Sequence, residues 1–541
     1  MSRGLRASEA PRKLLALAVA YVTLLGTTPA YADGSFYRTA TPIKHIVVIF
    51  QENVSFDHYF GTYPHAMNPP GEPRFHADPN TPSVNGLRGG LLISNPNLNP
   101  ANGTGASNPF RLDRNQAATA DQNHAYGPEQ GAYDFGLMDL FPKLVGTAGP
   151  PPNAPPLIVT TTGLTMGYYD GNTVTAMWNY AQHFAMSDNS YNTTFGPSTP
   201  GLLNLVSGQT NGVTQFLNGT GNETDGGNGT LTVIGDPDPI GDICSAPTRG
   251  QVTLGSHNIG DLLTEAGISW GSFMGGFDLT LTNSNGTTGC LRSSTGVAGT
   301  TADYIPHHAF FQYYTSTANP THVRPSSISE IGHDGAANHN YDINDFFTAV
   351  KNGNFPAVSF LKAPAYQDGH AGYSDPLDEQ AFIVTVINFL EKTDDWDSTA
   401  VVISYDDSDG WYDHQMGPIV NQSTSPADAL TAAGACGDGS AALPGIDTSN
   451  PHAQGRCGYG PRLPLLVISP WSKQNFVDST VTDQTSIIHF IEDNWLNGQR
   501  IGQGSFDVLS NSIAQMFDFK QHHPGADRLF LDPSTGEPTK H

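Results

Sequence analysis

Three apolar, β-branched runs constrain this 541-residue chain more than any other feature. They are Ile46-Val47-Val48-Ile49-Phe50, Ala400-Val401-Val402-Ile403-Ser404 and Leu465-Leu466-Val467-Ile468-Ser469. None shows the polar alternation of a half-exposed strand, so each reads as a strand covered on both faces. Residues 357–361 form a weaker run of the same kind. Between them, residues 378–392 place Ala381, Phe382, Val384, Ile387 and Leu390 at near-helical spacing, and residues 485–496 do so with Ile487, Ile488, Phe490, Ile491 and Trp495. This order predicts an α/β fold: a doubly wound, mostly parallel sheet with helices on both faces. In such sheets ligands sit beyond the carboxyl ends of the strands.

Two of the runs end in oxygen ligands. The first leads into Gln51-Glu52-Asn53 and the second into Tyr405-Asp406-Asp407, while Pro470 closes the third. Three carboxylates and an amide oxygen make a hard set suited to one divalent metal ion: calcium, magnesium, manganese or zinc. The competing reading, solvated turn acids, is strong for either pair alone and weaker for both together.

A second feature is Phe195-Gly196-Pro197-Ser198-Thr199-Pro200-Gly201, followed by the apolar stretch Leu202-Leu203-Asn204-Leu205. Gly and Pro make a turn, Pro200 suits a first helical turn, and Ser198 falls at or near the N-cap. Free N–H groups there attract phosphate oxygens, and a metal-bound serine becomes a nucleophile. A serine in that place is more often only a cap. Histidines are the third feature: His124, the adjacent pair His307 and His308, His370, and His414. As cations they would hold phosphate oxygens, and one would protonate a leaving alkoxide. Lys362, at the end of the weaker strand, would add to phosphate binding or simply be solvated.

The rest of the chain bounds the setting. Arg3, Arg6, Arg12 and Lys13 precede an apolar run from Leu14 to Leu25, and Ala30-Tyr31-Ala32 has a small-x-small pattern. Residues 1–32 therefore read as a signal peptide, and the protein as secreted or periplasmic. The run is short of the roughly 20 residues a span needs, so no stable membrane anchor is expected. Removing four basic residues and one acid takes the formal charge of −26 to −29. That excess repels nucleic acid but leaves a phosphorylated small molecule or a phospholipid open as substrate, because a local metal reverses the field in a pocket. Residues 33–541 are expected to form a single domain with loop-rich β insertions near 79–121 and 211–300. Cys244, Cys290, Cys436 and Cys457 allow three disulfide pairings. The pairing 244–290 with 436–457 is favoured, because each bond then closes a local Gly-rich loop.

These residues resemble a known family. Residues 46–61, IVVIFQENVSFDHYFG, are similar to the opening motif of the bacterial phosphoesterases that include non-haemolytic phospholipases C and a group of acid phosphatases. SYDDSDGWYDH, GPSTPG, DQNHAYGPEQGAYDFGLMDLF, YIPHHAFFQYY, DGHAGYSDP and GPRLPLLVISPW match the same family in order. The resemblance implies an alkaline-phosphatase-like fold. It implies a metal on Glu52, Asn53, Asp406 and Asp407, with Ser198 touching it as nucleophile, and His124, His307, His308 and His370 around the phosphate. His370 and His308 are the first candidates for the general acid. Val54 stands where the family often has Arg. The context G-P-S-T-P-G, in place of G-P-T-x-P-N, leans toward the acid phosphatase branch, with phospholipase C as the alternative. A sulfatase would need Arg at position 202, where the chain has Leu202, and a non-catalytic secreted binding protein is the distant alternative.

Overall fold

A computed structural model describes residues 38–149, 159–219, 221–226, 229–437, 456–520 and 528–539. The expected signal peptide lies outside the described residues.

The main sheet takes β1 (His45–Gln51), β2 (Ala185–Tyr191), β3 (Trp270–Met274), β4 (Asn340–Asp342), β5 (Val358–Lys362), β6 (Thr399–Tyr405), β7 (Arg462–Ile468), β8 (Phe476–Asp478) and β9 (Thr482–Asp483). Their spatial order is β4-β3-β5-β1-β6-β7-β2-β8, with β9 also on β2. From β4 to β6 every pairing is parallel. β1 and β6, two of the apolar runs, lie at the centre in register from His45 opposite Thr399 to Gln51 opposite Tyr405. The weaker run is β5, on the other side of β1. Burial on both faces explains why none of these strands alternates.

The third apolar run departs from the parallel expectation. β7 is antiparallel to both β6 and β2. Apolar content reports burial and carries no direction, so a reversed strand inside the sheet looks the same in sequence. Its Pro470 end therefore lies away from the ligand-bearing strand ends, and its start, Arg462, lies near them.

Helices cover both faces. Four helices matter below: α1 (Tyr126–Tyr133), α2 (Ser198–Ser207), α3 (Pro376–Leu390) and α4 (Thr485–Trp495). Val47 and Ile49 of β1 share one core cluster with Phe382, Ile383 and Ile387 of α3 and with Phe346 of the helix Ile343–Lys351. On the opposite face, Trp270 of β3 packs on Phe311, which packs on Phe360 of β5. The helix Ile259–Glu265 lies against Trp270, whose ring a Cβ on Gly260 would meet at 2.6 Å.

The stretch 211–300 is only partly an insertion. Residues 211–254 carry a separate five-stranded sheet, but Trp270–Met274 is β3 of the main sheet. Its sequence Trp-Gly-Ser-Phe-Met is short and broken by Gly and Ser, which hid it. The stretch 79–121 holds short helical turns and the two-residue strand Phe110–Arg111. Both favoured disulfides are present, Cys244–Cys290 and Cys436–Cys457.

Candidate active site

The in-register ends of β1 and β6 deliver Glu52 and Asp406 side by side, one residue beyond the Gln51–Tyr405 pair. The Asp406 carboxylate also accepts from the backbone N–H groups of Asp407 (2.9 Å) and Asn53 (3.4 Å). Asn53 adopts φ 41°, a left-handed conformation that Asn tolerates better than most side chains. At the end of β5, Lys362 is buried and not solvated. Its ammonium contacts Glu52 Oε1 and lies 3.1 Å from Asp406 Oδ2. Burial would lower the Lys362 pKa, but Asp406 and Glu52 outweigh it and hold the amine charged.

α2 brings Ser198 to this group. Pro197 is the N-cap and Ser198 the first helical residue, one position inside the expected cap. Ser198 Oγ donates to Glu52 Oε2 at 3.0 Å. The approach depends on Gly201: a Cβ there would meet the Asp406 carbonyl oxygen at 2.0 Å. Gln484, just before α4, donates to the carbonyls of Tyr405 (3.1 Å) and Asp406 (2.7 Å) and pins the β6 end. Thr199, the other hydroxyl of the motif, is turned away toward the His307 carbonyl at 3.3 Å.

The histidines fall into two groups. His308 Nδ1 lies 3.0 Å from Glu52 Oε1, with the His307 ring against its own at 4.6 Å. His124 Nδ1 lies 3.0 Å from Asp409 Oδ1, and its ring meets His370 edge-on at 5.6 Å. Burial, with His307 and Lys362 nearby, pushes His308 well below the usual imidazole range, and burial lowers His370 too. Burial would also lower His124, but Asp407, Asp121 and Asp409 outweigh it and favour the protonated ring. His414 is not in this site. Its Nδ1 pairs with Asp57 Oδ2 at 2.6 Å, beside the buried Arg462–Asp413 pair. Val54 packs in the core.

The oxygen donors fit a cation. Asp407 Oδ2 and Asn53 Oδ1 are buried without a hydrogen-bond partner. Burial and neighbouring acids raise Asp406 and Asp407 well above the usual carboxylate range, a shift that a nearby divalent charge would reverse. Among the described residues, Glu52, Asp406 and Asp407 are not drawn as close together as two other groups. In Glu52–His308–Asp368 and Asp121–His124–His370–Asp409 the ligand atoms lie within 4.8 Å of one another. Asp368, Asp121 and Asp409 went unnoticed in sequence. Each sits in a motif whose histidine or leading aspartates drew attention instead. Glu129 was missed as well. It accepts from Ser408 Oγ (2.6 Å) and Gly196 N (3.1 Å), joining the aspartate loop to the serine turn, and burial beside Asp407 raises it to about 8. A cleft of about 710 Å³ opens beside the group, lined by Asp121, His124, Tyr126, Pro197, Asp236 and Arg249 among others.

The Phosphoesterase family profile matches residues 43–496. The chain belongs to the Phosphoesterase family. A non-hemolytic phospholipase C of Burkholderia pseudomallei is 26% identical over 84% of this chain and 56% of its own length. Phospholipase C B of Mycobacterium tuberculosis is 24% identical over 87% of this chain and 77% of its own. A Pseudomonas aeruginosa non-hemolytic phospholipase C is 24% identical over 83% and 53%. The chain thus spans about half the length of the Burkholderia and Pseudomonas relatives. A protein of the alkaline phosphatase superfamily from Vibrio parahaemolyticus overlays 74% of each chain at 11% identity and a TM-score of 0.28. The α/β architecture of this Phosphoesterase chain stands on its own sheet. These three relatives bear the phospholipase C name, whereas G-P-S-T-P-G leans toward the acid phosphatase branch.

Proposed function

We propose that this chain is a metal-dependent phosphoester hydrolase of phospholipase C type, acting on phospholipid head groups through a phosphoserine. The observation that carries the reading is Ser198 at the start of α2, its hydroxyl 3.0 Å from one oxygen of the Glu52 carboxylate while the buried Lys362 ammonium contacts the other. Glu52, Asn53, Asp406, Asp407 and Ser198 would hold one divalent ion. When bound, it supplies positive charge against the phosphoryl oxygens and lowers the proton affinity of the serine hydroxyl.

The chain's own groups do the rest. Ser198 Oγ attacks phosphorus, the P–O bond to the leaving alcohol breaks, and water later cleaves the serine–phosphorus ester. The N–H groups opening α2 and the Lys362 ammonium stabilise the equatorial oxygens. His307, His308 and His370 complete the phosphate surround. The leaving-group proton is assigned to His124 ahead of His370 and His308, since Asp409 and Asp121 favour its charged form while burial keeps the other two neutral. The two disulfides support an exported protein.

The test is a parallel assay on phosphatidylcholine and p-nitrophenyl phosphate, before and after chelation. The expected result is faster turnover of the diester, its loss on chelation, recovery with one of the four candidate metals, and loss by about 10³-fold or more in Ser198→Ala with the melting temperature retained. Near-normal turnover in Ser198→Ala would sink the reading. Preference for the monoester would return it to the phosphatase branch.

A further inference from the structure

The inserted sheet reaches out beside the cleft. Its central strand, Asn211–Leu217, is buried at Asn211 and exposed from Thr214 to Leu217. The strand Leu231–Val233 pairs with it only at Asn211 and Val213. The strand Gln251–Leu254 follows it to the end, placing Phe216 opposite Val252 and Leu217 opposite Gln251. Successive strand residues point to opposite faces, and Phe216 and Leu217 are 54% and 49% exposed. The strand end therefore carries an uncovered large apolar side chain on each face, where exposed strands normally carry charge.

This end stands on the cleft rim. Leu217 is opposite Gln251, and the two residues before Gln251, Arg249 and Gly250, line the cleft. The Asn218 side chain donates to the Arg249 carbonyl at 3.3 Å and to that of Pro247 at 2.8 Å, tying the tip to the rim.

We propose that Phe216 and Leu217 form a docking tip that seats in the interfacial layer of a zwitterionic phospholipid bilayer and holds the cleft mouth against it. The inference rests on the phospholipid reading above. Charge bears on the surface: a chain whose formal charge of −26 becomes −29 without residues 1–32 is repelled by an anionic leaflet, whereas a zwitterionic one adds no such repulsion to the entry of two apolar side chains.

The experiment compares the metal-loaded full chain with the double variant Phe216→Ser, Leu217→Ser on two substrates: phosphatidylcholine vesicles, and monomeric dibutyryl phosphatidylcholine with the same head group. A control double variant, Phe135→Ser, Leu137→Ser, alters two residues that are 65% and 61% exposed and lie past the end of α1 away from its cleft-lining start at Tyr126. The expected result is vesicle binding and vesicle turnover at least tenfold weaker in the first variant, unchanged turnover of the monomeric substrate, and an unchanged control. Equal losses in the control, or normal vesicle binding by the first variant, would overturn the docking tip. So would concentration-dependent dimerisation of the parent chain that the first variant abolishes with vesicle turnover intact, since the tip would then join two copies. An unvaried chain that hydrolyses neither substrate refutes the functional reading instead.

Discussion

A single missing side chain decides how near Ser198 comes to its acidic partners. α2 meets the end of β6 at Gly201, and the space for a Cβ is taken by the backbone carbonyl of Asp406. Backbone cannot rotate away as the end of a side chain can, so Gly201→Ala must push α2 and the β6 end apart. Ser198, three residues earlier, moves with the helix. A displacement of about an ångström at a reacting group costs on the order of 10²-fold in rate. Gly201→Ala is therefore expected to lower kcat by about 100-fold, with a stability loss of about 1–3 kcal/mol. Steady-state kinetics with a melting curve checks both. Lys362 makes the complementary point. In sequence it is a phosphate-binding candidate or a solvated lysine, and only the neighbours that folding supplies, Glu52 and Asp406, make it a buried counter-charge.

At the scale of elements, α3 is joined to β6 and to the helix Phe56–Phe60 through one buried acid. Glu379 accepts from Tyr59 Oη and Tyr405 Oη, both at 2.7 Å. Burial outweighs these two donors and raises its pKa from the ordinary 4.5 to about 8. The folded chain thus keeps the proton up to about pH 8, while the unfolded chain releases it near 4.5. That contribution to stability is complete below pH 4.5 and is lost as pH rises through about 8. Glu379→Gln cannot ionise, so its melting temperature should fall less than that of the parent between about pH 5 and pH 8.5. Calorimetry across that range measures the difference, and parallel curves would refute the assignment.

Across the whole molecule, one disulfide steadies the serine turn from behind. Cys457 is bonded to Cys436, and its carbonyl accepts from Phe195 N at 3.0 Å, three residues before Ser198. Its neighbour Arg456, fully buried, donates to Asn204 Oδ1 (3.3 Å) and the Gly208 carbonyl (3.4 Å) at the far end of α2, and its guanidinium lies over Phe506 at 4.3 Å. Both ends of the segment that carries Ser198, the proposed nucleophile, are thus gripped by residues at or next to a cross-link. Cys436→Ser with Cys457→Ser should cost about 2–4 kcal/mol and lower kcat about tenfold with KM little changed. Cys244→Ser with Cys290→Ser should cost stability of the same order and leave kcat in place. Denaturant titration and kinetics on the two pairs separate these effects.

The buried strands, the two long helices, the carboxylate and amide side chains at two strand ends and the serine at a helix start are legible without a fold, because each is a local pattern. Apolar runs report burial, and turn chemistry reports where an element begins or stops. The reversal of β7, the membership of β3 in the sheet, the burial of Lys362, the pairing of His124 with Asp409 and the placement of His414 in a separate ion pair come only with folding. Each of these is a relation between residues far apart in the chain. Strand direction, counter-charge and proton affinity are set by neighbours in space, and no single segment carries that information.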